Sequence, residues 1–460
     1  MASYRGRPMA AAIDRARLTE ALATERDLFV SRHPHSYESS LRAQRHLVTG
    51  VPMPWMTRWP GGFPVFFEEA RGAHFVDIDD NEYVDFCLGD TGAMTGHGLS
   101  QVTEVLATRA RRGITTMLPS TDAEVVGDEL TARFGLSKWQ FAMTATDANR
   151  FVLRYARQLT GRPKIAVMDW CYHGTVDETL VIMDEHGNTM SRPGAIGPQV
   201  DPALTTRVVP FNDADALDRV LSYGDVACLL MEPALTNIGI VLPQEGYLEK
   251  VREITRRHGV LLIIDETHTI CVGPGGCTKA WNLDPDFFVI GKPIGGGMPA
   301  AVYGMTDVVA DKLEPYLRSD GVDVSGVGGT LAGNALALAA VRATLSTTLR
   351  QEDFDHMIPL ATRWTDGVRE GYERHDLPWH VQQLGCRAEY WFCPPPTNGA
   401  QAAAAINGEL DAFMHLFALN RGILLTPFHN MALLSPFHTE QDVDAHTRVF
   451  AEAVDVLMTA

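Results

Sequence analysis

Two charged side chains stand where apolar runs stop. Phe287-Phe288-Val289-Ile290-Gly291 leads into Lys292, with Gly295-Gly296-Gly297 just beyond it, and upstream Leu261-Leu262-Ile263-Ile264 ends in Asp265. Runs of that length and composition read as buried strands, so each delivers a charge to a strand end. An amine placed there can form a Schiff base with an aldehyde, while an anion can keep a heteroaromatic nitrogen protonated so that the ring acts as an electron sink. A lysine before glycines is ordinarily a solvated loop residue. Here the preceding apolar run and the freedom of glycine to let backbone approach a bound group favour chemistry.

Further motifs fall at strand exits, where open parallel sheets collect ligand-binding groups. Thr144-Ala145-Thr146-Asp147 follows the run ending at Met143 and opens a helix. Its N–H groups, helix dipole and hydroxyls form a phosphate cradle, although the same residues serve as an ordinary N-cap. Trp170-Cys171-Tyr172-His173-Gly174 offers Tyr172 or His173 to stack on a flat ring, against the plainer reading of aromatics at a domain edge. Glu232 and Asn237, after the Val226 run, suit a phenolic oxygen or the ordering of the lysine and aspartate; a helix-capping Asn237 is the alternative. Thr330, in Gly328-Gly329-Thr330, reads as a glycine-flanked threonine opening a helix. Amine, anion, stacking ring and phosphate cradle together specify pyridoxal 5'-phosphate.

These groups need a framework. Strand candidates run at Trp139 to Met143, Lys164 to Met168, Thr205 to Pro210, Val226 to Glu232, Val260 to Asp265, Phe287 to Gly291 and Ala300 to Gly304. Helical stretches at Asp147 to Thr160, Asp213 to Ser222 and Tyr247 to His258 separate them, which predicts an α/β fold with a mostly parallel sheet covered on both faces. Surface helices are expected within residues 14–48, then a small meander through residues 64–86. From Thr330 a long Ala/Leu-rich helix leads to a C-terminal αβ segment with no further strongly buried run. The expected division is 1–75 as the N-terminal part of a small domain, 76–335 as a large cofactor-binding domain, and 336–460 as the rest of the small domain.

With 460 residues the chain can bury a large core, and its formal net charge of −18 disfavours nucleic acid and anionic membranes as partners. The first 29 residues hold no continuous apolar segment, so neither a signal peptide nor a spanning helix is expected there, and the protein should be cytoplasmic. Seven scattered cysteines suit reduced thiols. Cys271 and Cys277 lack the second pair that a tetrahedral metal site requires, so no metal is expected.

From about residue 45 onward the sequence resembles the class III aminotransferases of pyridoxal phosphate fold type I, in the branch of glutamate-1-semialdehyde aminomutase and β-amino-acid transaminases. The resemblance implies a seven-stranded, mostly parallel sheet, a smaller α+β domain built from both chain ends, and a homodimer. It implies that Lys292 binds the cofactor and shuttles a proton, that Asp265 pairs with the ring nitrogen, and that Tyr172 and Thr267 pack its two faces. Asn237 would meet the phenolic oxygen, Thr144-Ala145-Thr146 the phosphate, and Thr330 the phosphate of the partner subunit. Two departures stand out. Ala145 replaces a usual glycine, which would make a positive φ costly there. Trp55 falls where related enzymes carry a carboxylate-binding arginine, with Arg58 three positions on, and Phe428-His429 likewise offers no arginine.

The leading expectation is ping-pong transamination to a 2-oxo acid such as pyruvate or 2-oxoglutarate, and the departures point to a bulky or hydrophobic amine or amino acid as its donor, with Trp55, Arg58, Phe428 and His429 at the substrate. The alternative is a glutamate-1-semialdehyde-type 2,1-aminomutase, which moves an amino group within one molecule behind a lid such as Asp184 to Asp201. A cofactor-binding protein without turnover is a third reading, opposed by the intact Lys292 and Asp265.

Overall fold

Strand-length apolar runs separated by helices assemble as their spacing demands. The computed structural model describes residues 13–197 and 200–458. It divides into two compact units: one takes the chain up to Leu99 with Glu352–Pro395 and the residues from Ala404 onward, the other Ser100–Gln351 with Pro396–Ala403.

The second unit is built on a seven-stranded sheet in the order Lys138–Ala142, Ala301–Met305, Phe287–Ile290, Leu261–Asp265, Val226–Met231, Lys164–Met168, Thr206–Val209. Ala301–Met305 runs antiparallel to both neighbours, and the remaining adjacent strands pair in parallel. All the expected strands are present, with ends shifted by a residue or two. Val226–Met231 is buried at every position, because helices on both faces leave no side for alternating polar residues. Asp265 lies in register beside Val289, just ahead of Lys292, so parallel pairing brings both charges to one end of the sheet.

Packing on the sheet is tight. Phe288 is fully buried, its ring centroid 4.5 Å from Phe134 and 5.7 Å from Trp139. Gly304, opposite Phe288 in register, makes room for Trp139, since a Cβ there would come within 2.6 Å of the indole. Helix Ala145–Thr160 starts at the N-cap Thr144 and stops at Gly161 in a left-handed conformation, burying Ala148, Phe151, Val152, Tyr155 and Ala156.

The first unit contains the expected meander, Phe67–Arg71, His74–Asp77 and Glu82–Asp85, extended by Ile423–Leu424 parallel to its last strand. That long-range pairing places residues 76–99 in this unit, whereas the boundary was expected at 75/76. The later boundary falls at 351/352 instead of 335/336, because helix Ala335–Thr347 packs on helices Ser100–Ala110 and Asp122–Phe134. Helix Arg15–Arg32 buries Leu18, Leu22 and Phe29, and its Glu25 bonds Asn420 at 2.6 Å and Arg421 at 3.0 Å.

Two expectations need correction. The Ala/Leu-rich helix begins at Ala335, where Asn334 accepts from the N–H groups of Leu336 and Ala337; Thr330 lies ahead of it in an exposed turn. The C-terminal segment does hold a fully buried strand, Arg387–Trp391, whose Arg387 and Glu389 disguise it as a surface run. Within the Gly/Pro-rich segment Asp184 to Asp201, Pro198 and Gln199 lie outside the described residues, as do residues 1–12 at the N-terminus. Around the start of that segment Val181–Met183 and Thr189–Ser191 form an antiparallel hairpin. Among the described residues no helix is long and apolar enough to cross a membrane.

Truncating Phe288 to alanine would open a cavity under the Lys292 strand. The expected loss is about 3–5 kcal/mol in urea unfolding; a loss below about 1 kcal/mol would contradict this account of the core.

Candidate active site

A carboxylate at the end of a buried strand needs donors, and Asp265 has them on both oxygens. Oδ2 accepts from Asn149 Nδ2 at 2.9 Å and lies 2.9 Å from His173 Nδ1, while Oδ1 accepts the Thr267 N–H at 3.1 Å. Burial acts to raise its pKa, but the His173 hydrogen bond and charge, then Thr267 and Asn149, hold it down at about 2. Burial likewise opposes a charge on His173. The neighbouring Cys171 sulfur and the Asp265 carboxylate outweigh it, lifting the imidazole to about 10. The result is an ionised acid beside a protonated base with almost no water.

Lys292 follows Gly291 and takes a left-handed φ of 45°, opening the short turn Lys292–Gly295. Its Nζ is 2.8 Å from His268 Nε2. The Gly291 N–H donates to Thr267 Oγ1 at 3.3 Å, so the aspartate loop also anchors the lysine loop. A Cβ on Gly291 would stand 3.0 Å from Ala145 Cβ and 3.1 Å from its nitrogen, which places the lysine loop directly against the Thr144 turn. Gly174, with φ 79°, packs the aromatic loop on the same turn: a Cβ there would meet Thr146 Oγ1 at 2.1 Å, and the Thr175 N–H donates to that oxygen at 3.0 Å.

The structure thus gathers Lys292, Asp265, Thr267, the Thr144-Ala145-Thr146 turn and the Tyr172-His173 loop. Asn237 joins them by donating to the Trp170 carbonyl at 2.9 Å, and Glu232 is buried nearby in sequence, accepting from the Thr236 hydroxyl. Thr330 is not part of this cluster of contacts; it is exposed in its glycine turn. In the other unit, Trp55 and Phe428 meet edge to face, centroids 4.7 Å apart at 83°. His429 lies beside Phe428 with Nδ1 3.1 Å from the buried Glu389, and Arg58 is exposed.

The residues fit pyridoxal phosphate. Asp265 is ionised, as a partner for a protonated ring nitrogen must be. In the first turn of helix Ala145–Thr160, Thr144 caps the Asp147 N–H, and the amides of Ala145 and Thr146 have no intrahelical acceptor by helix geometry, which suits a phosphate. The expected strain at Ala145 does not arise: Thr144 is extended at φ −140° and Ala145 is already helical, so no positive φ is needed.

Residues 56–453 match the family model for Aminotransferase class-III. The chain belongs to the class III aminotransferases. A glutamate-1-semialdehyde 2,1-aminomutase of Chloroflexus aggregans is 33% identical over 441 residues, covering 92% of this chain and 98% of that one. A glutamate-1-semialdehyde aminomutase from Pseudomonas aeruginosa PAO1 superposes with a TM-score of 0.95 at 47% identity, covering 97% of this chain and all of that one. A second such structure from the same organism is in complex with PMP. An omega-transaminase from Sphaerobacter thermophilus gives a TM-score of 0.83 at 26% identity, covering 93% and 99%. The fold is that of the fold type I pyridoxal phosphate enzymes.

These relatives correct one expectation. Intermolecular transamination of a bulky amine is overturned by full-length similarity to 2,1-aminomutases. The lysine, aspartate and phosphate turn of a class III aminotransferase serve both reactions, so they do not decide between them, and the residue at position 55 bears on the size and charge of the substrate rather than on the reaction type.

Sequence reasoning missed Asn149 and His268. Asn149 had a signal: an amide next to Ala148 and Phe151 on the buried face of a helix must find a polar partner. His268 had only its place in Asp265-Glu266-Thr267-His268.

The paired shifts set a pH signature. Asp265 is depressed from 3.8, so its contribution is present above that value and lost as pH falls toward 2. His173 is raised from 6.5, so its contribution is complete below 6.5 and lost as pH rises toward 10. In urea unfolding of the cofactor-free protein, His173→Asn should reduce the decline in stability between pH 6.5 and 10. Parallel curves for the two proteins would refute the charged pair.

Proposed function

We propose that this class III aminotransferase is a pyridoxal 5'-phosphate-dependent glutamate-1-semialdehyde 2,1-aminomutase. It moves the amino group of 4-amino-5-oxopentanoate to the neighbouring carbon, giving 5-amino-4-oxopentanoate. The observation that carries the reading is 47% identity across essentially the whole length of both chains to the Pseudomonas aminomutase, with Lys292, Asp265 and the phosphate turn in place.

Bound, the cofactor supplies an electron-withdrawing ring and a nitrogen carrier. Lys292 Nζ holds it and, once released, moves a proton. Asp265 stays ionised and keeps the ring nitrogen protonated, with Asn149, His173 and Thr267 fixing its oxygens. Tyr172 and Thr267 pack the ring, Asn237 and Glu232 serve the phenolic side, and Thr144, Ala145 and Thr146 bind the phosphate. Thr330 completes the phosphate site of a second subunit in a homodimer. Its exposure on one chain and its flanking glycines support that role.

The holoenzyme given glutamate-1-semialdehyde alone should convert it mole for mole to 5-amino-4-oxopentanoate. Turnover that required added pyruvate or 2-oxoglutarate would refute the intramolecular reaction. Lys292→Ala should lose turnover by on the order of 10⁶-fold, the scale of removing a covalent catalyst.

A further inference from the structure

A lysine that must bond an aldehyde faces an elementary difficulty at neutral pH. An amine of ordinary basicity is an ammonium there, and an ammonium has no lone pair to offer. Something must take its proton. In this chain one group in contact with Lys292 Nζ is an imidazole: His268 Nε2 lies 2.8 Å away. Neutral imidazole accepts a hydrogen bond and, although a weaker base than an alkyl amine, relays a proton from one to solvent near neutrality.

His268 is held firmly. Its neighbour Thr267 is tied by its N–H to Asp265 and by its hydroxyl to the Gly291 N–H. On the other side Thr269 donates its hydroxyl to the buried Glu266, which also accepts from Cys277 N–H at 3.1 Å and Thr278 Oγ1 at 2.6 Å. Burial raises the pKa of Glu266, and its donors act against that rise. The lysine is held too, by the left-handed turn after Gly291. Both partners are only half-buried, so a ligand can reach them, while the loops that carry them are pinned.

We infer that His268 is the proton acceptor and positioning residue for Lys292, resting on the cofactor assignment made above. One proton leaves Nζ and bonds to Nε2, and the freed lone pair of Nζ is left to form the C–N bond to the cofactor aldehyde, with loss of water. Nothing is oxidised or reduced, and the imidazolium then returns its proton to solvent.

The test uses cofactor-free full-length protein mixed with pyridoxal 5'-phosphate at neutral pH. The readout is the rate of covalent attachment at Lys292, followed by absorbance and fixed by borohydride reduction and peptide mapping. His268→Ala should attach about 100-fold more slowly, the lower end of general acid–base effects, and added imidazole should restore the rate in proportion to its concentration. His268→Gln, which keeps a hydrogen-bonding group but cannot take up a proton, should also be slow. Attachment at the wild-type rate in either variant overturns the inference, as does a slow His268→Ala that imidazole leaves unchanged. Wild-type protein that attaches the cofactor elsewhere than Lys292 would sink the parent assignment, and this inference with it.

Discussion

An ionised carboxylate almost out of reach of water persists only while donors occupy its oxygens, and around Asp265 three separate parts of the chain supply them. Asn149 comes from helix Ala145–Thr160, His173 from the loop after Lys164–Met168, and the Thr267 N–H from the aspartate's own strand exit. Removing all of them would leave a charge that burial alone would neutralise. The same three elements carry the phosphate turn, the aromatic loop and the anchor of the lysine loop. One electrostatic requirement therefore aligns most of the site.

The framework was readable from sequence because both faces of the sheet are covered. Strands such as Val226–Met231 and Phe287–Ile290 are apolar at every position, and turns, caps and helices separate them cleanly. Lys292 and Asp265 were readable for the same reason, each being the first charge after such a run. What escaped notice was polar and buried. Arg387 and Glu389 lie 3.6 Å apart inside a strand with no exposed position, and residues of that kind look like surface. The small unit's extent was equally hidden, since the two-residue strand Ile423–Leu424 captures Glu82–Asp85 across most of the chain's length.

Reaction type was the least legible property. Internal and intermolecular amino transfer both need an amine on a strand end, an ionised aspartate and a phosphate cradle, and differ in whether the substrate leaves between steps. That difference lies in retention of an intermediate, which no single side chain encodes. Trp55 and Phe428 meet at 4.7 Å, and they describe one wall of the small unit rather than a reaction.

The contact between Gly291 and Ala145 couples two positions far apart in the chain. A methyl group occupies the space on one side and hydrogen on the other, with 3.0 Å separating the existing methyl from the position a second would take. A Cβ at 291 would also stand 3.1 Å from the Ala145 nitrogen, so even without the Ala145 methyl the backbone of the phosphate turn must give by a few tenths of an ångström to admit a larger residue. Enlargement at 291 would therefore displace the phosphate turn and the lysine loop together, so the fit of the two loops depends on the absence of a side chain at one position.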